Sequence, residues 1–510
     1  MRILLVQPAP FEDTRLGLEN SFWLSEPVAL TSVAAMVPDH EVRVLDMRLE
    51  EPQALPQALA EFRPDIVGTT AMTTDAYQAK AVLRLARSVC PNAMTVIGGH
   101  HCTMMPEFYY EPFVDVIVKG EGEECFRALV DQWDANLAAG RPHDTDSLAE
   151  IKGTEIRTSD GSQAVNCKHP DANIDTLPAP ARHLISQYKG SYFYLAAQPM
   201  ASIFTSRGCS YDCNFCAIWE FYDRKTRYLS ASIIVDRMEA CDEPFIFFLD
   251  DNFLTRKDRI IELCDELERR GVKKYWMTQG RTDFVAKHPD LIARLAKNGM
   301  MGLLSGYESN DEDALAALRK KNTLDNNLAA ARILKSNGIV STGIFLVRPD
   351  FSESDFDELY EYILDLGVAV PLVTMLTPLP GTELFRAKRD DLLTEDFRLY
   401  DLLHPVVPTK LPRKRFYEKY VEWQRVSIVS RQRWFTWATV AKRWDFYVRA
   451  LPSLPGAMRR LFRYQRVMYD ADNYMRDEAG IIPPDVTMDN AHEFTVQRRN
   501  TPAELATAAK

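Results

Sequence analysis

Short apolar runs separated by amphipathic stretches of helical length fill the first 140 residues. Residues 2–7, Arg-Ile-Leu-Leu-Val-Gln, are apolar without alternation and stop at Pro8-Ala-Pro10, as a strand buried on both faces does. Similar runs follow at 41–46, 65–70, 94–98 and 114–118, with helical periods such as 27–37 and 75–89 between them. Strand and helix in alternation predict a doubly wound, Rossmann-like parallel sheet. Such sheets bind ligands in the loops at the carboxyl ends of their strands. Here those loops are small and polar: Thr69-Thr70-Ala-Met-Thr73-Thr74, Gly98-Gly99-His100-His101 and Gly120-Glu121-Gly122-Glu123. Glycine lets backbone approach a large flat ligand closely. No G-x-G-x-x-G follows the first strand, which disfavours a dinucleotide site.

From 141 to 198 the periodicity fades into polar and proline-rich sequence, with a turn signal at Asp160-Gly161 and the run Leu-Pro-Ala-Pro-Ala-Arg182. This segment is expected to be a linker carrying one small hairpin. Its aromatic residues Tyr188, Tyr192, Phe193 and Tyr194 are candidates for filling a domain interface or for packing on a ligand.

Alternation then resumes. Strand patterns at 201–205, 245–249, 274–278, 302–305, 341–347 and 370–376 are separated by helical patterns at 257–270, 289–297, 311–319, 325–336 and 353–366. Six β/α units over about 199–390 predict a partial, TIM-like (β/α)6 barrel with its active site at the strand carboxyl ends. Residues 391–510 read as a mostly helical C-terminal region whose sequence past Asp485 is that of a polar, frayed tail.

Length and composition fit this division. A chain of 510 residues, 46% hydrophobic and 26% charged, is long enough for two or three core-forming domains. A net charge of -11 argues against a nucleic-acid binder. The chain opens directly on a strand pattern, so no leader peptide is expected, and no apolar run reaches the length of a membrane span. Six cysteines (Cys90, Cys102, Cys125, Cys167, Cys241 and Cys264) are irregularly spaced and read as buried or incidental thiols in a reducing cytosol.

The other three form the chain's most specific pattern, Cys209-x3-Cys213-x2-Cys216, on the loop after the first barrel strand. Structural zinc usually takes four ligands as two separated pairs, and no second pair lies nearby. A [4Fe–4S] cluster held by only three thiolates keeps one iron open to chelate a small molecule. Polar residues at the other strand ends become candidates by position: Asp250-Asp251-Asn252, Gln279, Arg281, the Gly306-Tyr-Glu308-Ser309 stretch and Thr377-Pro-Leu-Pro-Gly-Thr382. A carboxylate there can pair with an ammonium, a hydroxyl with a ribose, and an arginine with a carboxylate. Each can equally be a rim or capping residue.

The cysteine spacing, with Phe215 just before the last thiol, resembles the radical S-adenosylmethionine (SAM) superfamily. With the domain ahead of it, the chain resembles the cobalamin-dependent radical SAM methyltransferase family. The resemblance implies that Cys209, Cys213 and Cys216 are cluster ligands. It assigns SAM to Phe215, Asp250, Gln279, Arg281, Glu308 and Ser309. It assigns cobalamin to Thr70, Thr73, Gly98, Gly99, His100, Gly120, Glu121 and Gly122. One departure stands out: the D-x-H-x-x-G motif that supplies a lower cobalt ligand is absent, and the first loop reads Pro8-Ala-Pro-Phe-Glu12. His100 and His101 are expected to pack or touch the cofactor tail, leaving cobalt without a protein ligand below.

The implied reaction spends one SAM to methylate cobalamin and a second to make the 5′-deoxyadenosyl radical, with electrons from an external flavodoxin- or ferredoxin-type donor. The wording of 376–384, 396–400 and 404–412 resembles the branch that methylates hopanoid lipids at C-3, which predicts a lipid-like substrate. Alternatives are a cyclase of tetrapyrrole synthesis, a methylase of a secondary metabolite, and a non-catalytic cobalamin or redox sensor. Residues 410–469 carry about 15 Lys/Arg and 3 Asp/Glu among many aromatics. Peripheral contact with the inner face of a membrane and simple packing on the barrel explain that composition equally, and nucleic-acid binding explains it less well.

Overall fold

The computed structural model describes residues 1–9 and 22–493. The later part of the Pro8-Ala-Pro-Phe-Glu12 loop lies outside them. The chain divides into two compact units, the first ending at Tyr192 and the second beginning at Phe193, to which Phe22–Leu24 also belong.

The first unit is built on a seven-stranded sheet. Five parallel strands come in the order Glu41–Asp46, Arg2–Gln7, Ile66–Thr70, Met94–Gly98, Val116–Val118. The first strand in sequence is therefore second in space, with a topological switch point between it and Ile66–Thr70. Ile3, Leu4, Leu5 and Val6 are all buried. Leu4 and Val6 join the core under helices Ala54–Phe62 and Ala76–Val89. On the other face, a Cβ built on Gly68 of the neighbouring strand would lie 2.8 Å from Leu5 and 4.0 Å from Phe126 of helix Glu123–Ala138, which places both side chains there. Alternate side chains of one strand thus serve two helical layers, which is why the run shows no polar alternation.

The boundary expected near residue 140 moves. Thr154–Arg157 pairs antiparallel with Val116–Val118, and Gln163–Val165 with Thr154–Arg157, so the predicted hairpin extends the sheet. Further along, Arg182 pairs with Glu26 at 2.7 Å, the Tyr188 hydroxyl donates to Glu50 at 2.6 Å and that of Tyr192 to Asp46 at 3.1 Å. The segment read as a linker is mostly part of the first unit, held by polar contacts that periodicity does not register.

The second unit carries six parallel strands in sequence order: Met200–Ile203, Phe245–Phe248, Tyr275–Gln279, Met300–Glu308, Val340–Val347 and Val370–Met375. Helices Lys257–Arg270, Pro289–Lys297, Leu324–Ser336 and Glu353–Leu366 connect them as expected. Phe193–Tyr194 pairs with Trp23–Leu24, Trp23 stacks on Phe247 at 4.9 Å, and the Tyr194 hydroxyl donates to Thr342 at 2.7 Å.

The C-terminal helices complete this barrel. Arg413–Val421 and Trp423–Trp434 cover the last strand: Tyr420 donates to the Val373 carbonyl at 2.8 Å and Ser430 to that of Val368 at 2.6 Å, while Trp434 packs on Val370. The chain next passes beneath the strand starts, where Phe446 meets Phe245 and Tyr275 edge-on. Arg433 bonds the carbonyl of Leu364, Lys442 that of Ser336, and Arg443 those of Ala296 and Met300. Three cations thus sit on the C-terminal ends of three barrel helices, where free carbonyls and the helix dipole favour positive charge. Part of the basic composition is barrel packing.

The residues just past Asp485, expected to belong to a frayed tail, are held to the second unit. Val486 is buried and the Met488 amide donates to the Thr409 carbonyl at 2.8 Å. Residues 494–510 lie outside the described part.

Arg413 has no exposed surface and forms a two-pronged ion pair with Glu478, whose carboxylate also accepts from Tyr417. Glu478→Ala should leave that guanidinium stranded and cost about 3–5 kcal/mol, lowering the melting temperature of the second unit. The double change Arg413→Met with Glu478→Leu should recover most of the loss, as followed by thermal denaturation.

Candidate active site

The three cysteines sit on a loop gripped from several sides. Asp250, at the end of the second barrel strand and wholly buried, accepts from the Thr205 amide at 2.6 Å and the Ser206 amide at 3.1 Å. The Ser206 hydroxyl adds a bond of 2.6 Å, and Thr205 Oγ1 a further one. Arg259 balances the charge at 3.5 Å and holds the Thr205 carbonyl at 3.1 Å. Ser206–Arg207 then pairs with Arg227–Tyr228. Gly208 lies at φ +88°, and its amide donates to Asp251 at 3.0 Å. A Cβ there would fall 2.2 Å from the Lys225 carbonyl oxygen, so only glycine fits. Beyond it, Trp219 Nε1 bonds the Cys213 carbonyl at 2.9 Å and Asn214 Nδ2 that of Ala317 at 2.9 Å.

All three thiols are free. Burial raises each of them, Cys216 to about 12, and Cys216 is raised further by the nearness of Cys213 and Cys209. Burial also raises Asp251, to about 6, against the hydrogen bond from Gly208. Among the described residues no three His, Cys, Asp or Glu converge on a point where one metal ion would sit. An iron–sulfur cube does not require that, since each thiolate takes a different iron.

Rim residues chosen from the sequence divide into two groups. Asp250 is occupied by the loop, with four donors on its carboxylate. Arg281 is also committed: it pairs with Asp283 at 2.9 Å, bonds the Lys320 and Lys321 carbonyls at 2.6 and 3.0 Å, and lies 3.7 Å from the Tyr211 ring centroid. Both, expected as SAM contacts from their placement, are held by the chain's own groups in this structure. Ser309 closes a local turn, accepting from the Asp311 amide at 3.1 Å. Gln279 and Phe215 are half-buried at the strand end and on the cluster loop respectively.

Glu308 differs from these. It is buried, stands at a register shift in its strand, and has φ +64°, a left-handed backbone that a glutamate adopts only when its surroundings enforce it. Its Oε1 accepts from Lys320 Nζ at 2.6 Å, and Lys320 is buried too. Lys320 was missed because Arg319-Lys320-Lys321 reads as a solvated basic run. Both side-chain amide atoms of Asn252, a candidate by position, are buried without a partner in the structure, as is the hydroxyl of Ser305, which the strand pattern alone does not mark.

In the first unit the three polar loops meet at the strand ends. Gly99 lies at φ +102°, where a Cβ would come within 2.5 Å of Thr70 Oγ1. Thr103 Oγ1 donates to the Gly99 carbonyl at 2.9 Å and accepts from the Gly120 amide at 2.9 Å, tying the second loop to the third. A Cβ on Gly120, at φ +76°, would meet nothing closer than Lys168 at 4.0 Å, and one on Gly98 nothing closer than 3.8 Å. Backbone is therefore open to a flat ligand at both glycines. Thr73 is buried, while Thr70, His100, Glu121 and Gly122 are half-buried. His101 is a core residue: it is buried, its Nδ1 shares a 2.8 Å bond with the Tyr109 hydroxyl, and burial lowers its pKa to about 3. That fits the packing role expected for it.

Comparison with known proteins agrees with this arrangement. Residues 21–130 match the B12 binding domain and residues 203–363 the radical SAM superfamily. The chain thus carries the two domains of a cobalamin-dependent radical SAM enzyme. Among similar proteins, hopanoid C-3 methylase from Methylococcus capsulatus is 28% identical over 446 residues, 85% of this chain and 81% of that protein. Anaerobic magnesium-protoporphyrin IX monomethyl ester cyclase from Cereibacter sphaeroides is 29% identical over 367 residues, 70% of this chain and 58% of that one. The solved structure of the cobalamin-dependent S-adenosylmethionine radical enzyme OxsB with aqua-cobalamin shares the fold. Its TM-score is 0.65 at 16% identity, over 98% of this chain and 83% of that one. The chain is an enzyme whose cofactors are a [4Fe–4S] cluster, SAM and cobalamin.

The residues present fit those groups. Three free thiols on one anchored loop suit a cluster with an open iron, and metal binding would displace the protons that burial now keeps on them. The amino-acid end of SAM is a zwitterion, and the buried Glu308–Lys320 pair offers the complementary charges. Lys320→Met should raise the SAM dissociation constant about tenfold or more, and Lys320→Arg should recover part of the affinity. Equilibrium dialysis on the anaerobically reconstituted protein, with iron content confirmed, checks this; unchanged affinity in Lys320→Met would discard the pairing.

Proposed function

We propose that this enzyme methylates an unactivated carbon of a lipid-like polycyclic substrate, C-3 of a hopanoid. The observation that carries the reading is the span of the Methylococcus relative. An alignment over 85% of the chain must run past residue 363, where the radical SAM match ends, into the C-terminal helices. The cyclase similarity, over 70% of the chain, does not demand that, so the span favours a methylase over a cyclase.

When bound, the cofactors supply the methyl group and the radical, with one SAM spent as methyl donor and another as radical source; the chain's own residues bind, orient and shield. Cys209, Cys213 and Cys216 would hold the cluster, with Asp250 and Arg259 fixing their loop. Glu308 and Lys320 would orient the amino-acid end of SAM, with Asn252, Gln279, Phe215, Ser305 and Ser309 as its other neighbours. Thr70, Thr73, Gly98, Gly99, His100, Gly120, Glu121 and Gly122 would line the corrin site. No protein group acts as acid or base on the substrate, because a saturated C–H bond is not acidic and must be broken homolytically. An external low-potential donor, of flavodoxin or ferredoxin type, would provide the electron.

Cyclisation of a tetrapyrrole is the second reading, favoured by the cyclase relatives; methylation of a secondary metabolite is the third. Anaerobic incubation with cobalamin, reductant and deuteriomethyl-SAM, followed by mass spectrometry of hopanoids, separates them. The expected product is a hopanoid heavier by one labelled methyl. Formation of 5′-deoxyadenosine with no label in any hopanoid would sink the substrate assignment and leave the family intact. Cys213→Ala should lose cluster iron and all 5′-deoxyadenosine formation; retained turnover would refute the ligand assignment.

A further inference from the structure

The C-terminal helices have a second face that the barrel does not use. Of the sixteen large hydrophobic side chains exposed among the described residues, eleven fall between Ile428 and Tyr469. Trp437 is 75% exposed and Trp444 53%, with ring centroids 5.9 Å apart. Leu451, Leu454, Met458 and Phe462 follow at spacings of three and four, an outward stripe running onto helix Leu454–Met468. The same segment buries Trp434, Phe446 and Ala450 against the barrel, so these exposed residues are not the packing face.

The stripe is set in positive charge. Between 423 and 462 lie eight Lys/Arg and one acidic residue, Asp445, in a chain of net charge -11. Asp445 accepts a hydrogen bond from Tyr275. Arg433, Lys442 and Arg443 are partly engaged by helix ends, but Arg425, Lys442, Arg449 and Arg459 are exposed. Tryptophan and aliphatic residues beside exposed cations suit the headgroup boundary of an anionic bilayer, where rings and apolar tips enter and the cations meet phosphate. A second copy suits it less well, since a two-fold contact through this face would set cation against cation. Nucleic acid offers nothing to Leu451, Leu454 and Met458.

We infer that this face docks the enzyme on an anionic phospholipid surface. Unlike the broad 410–469 stretch marked by composition, the docking face starts after Trp423, because Phe416, Tyr417, Tyr420 and Trp423 are core. Its location also matters. Phe446, Ser453 and Arg460 contact Phe245, the Gln198 carbonyl and the Leu195 carbonyl, all at or before the starts of barrel strands. Docking is thus by the barrel's amino-terminal floor, opposite the strand ends that carry Glu308 and the cysteine loop. The inference deepens the lipid-substrate reading and rests on it only for its biological purpose.

Sedimentation of the full-length protein with vesicles of phosphatidylglycerol and phosphatidylcholine, against phosphatidylcholine alone, tests it. The expected result is binding to the anionic vesicles that weakens with added salt and falls about tenfold or more in Trp437→Ser/Trp444→Ser. A second variant, Leu454→Ser/Phe462→Ser, should show the same loss, and both should keep wild-type melting temperature and 5′-deoxyadenosine formation in solution. No binding to anionic vesicles at low salt, binding unaffected by both variants, or a dimer that the variants dissociate without any vesicle binding would each overturn the docking face. Vesicle binding without a labelled hopanoid would refute the substrate and leave the docking intact.

Discussion

Asp250 has no exposed surface, yet it receives hydrogen bonds from two successive backbone amides and two hydroxyls at the point where the first barrel strand becomes the cysteine loop. A buried carboxylate is costly unless its charge is met, and Arg259 meets it while also binding the Thr205 carbonyl. The arrangement fixes where the loop leaves the sheet before any cofactor arrives. Everything downstream inherits that position: the Gly208 turn, the Trp219 bond behind Cys213, and the Asn214 contacts that set the far side of the loop against the segment before Lys320. Charge placed inside the protein here serves the geometry of the loop.

The same economy of charge explains the opposite end of the barrel. Six β/α units leave the outer edge of Val370–Met375 and the floor beneath the strands uncovered, and the helices after residue 412 close both. Their cations settle on the carbonyl ends of the barrel helices, which are the partially negative spots available there. A composition that looks anomalous against an acidic chain is in this respect complementary to the scaffold beneath it.

Much of the fold was legible because core strands and amphipathic helices leave a period. Helices Lys257–Arg270, Pro289–Lys297 and Glu353–Leu366 begin and end where the pattern placed them. The cysteine triad was legible for another reason: its spacing serves no packing purpose. What stayed hidden was the direction of polar side chains. Asp250 and Arg281 stand where ligand contacts stand, but face the chain; Lys320 hides in a run of cations and faces inward. Thr103, which ties two glycine loops together, lies on a short helix that no periodicity marks. The connector was misjudged because its attachment to the sheet depends on Arg182, Tyr188 and Tyr192, three residues with no repeat between them.

The path of the chain after the last strand also bears on how this protein can be divided. A fragment ending near residue 390 would contain every strand of the barrel and all three thiols. It would also lose Tyr420, Ser430 and Trp434 from the edge of Val370–Met375, exposing a row of unpaired backbone groups. An uncovered edge strand invites pairing with other chains. The smallest part of the second unit able to stay folded and monomeric is therefore set by edge protection, well beyond the last residue with a chemical role.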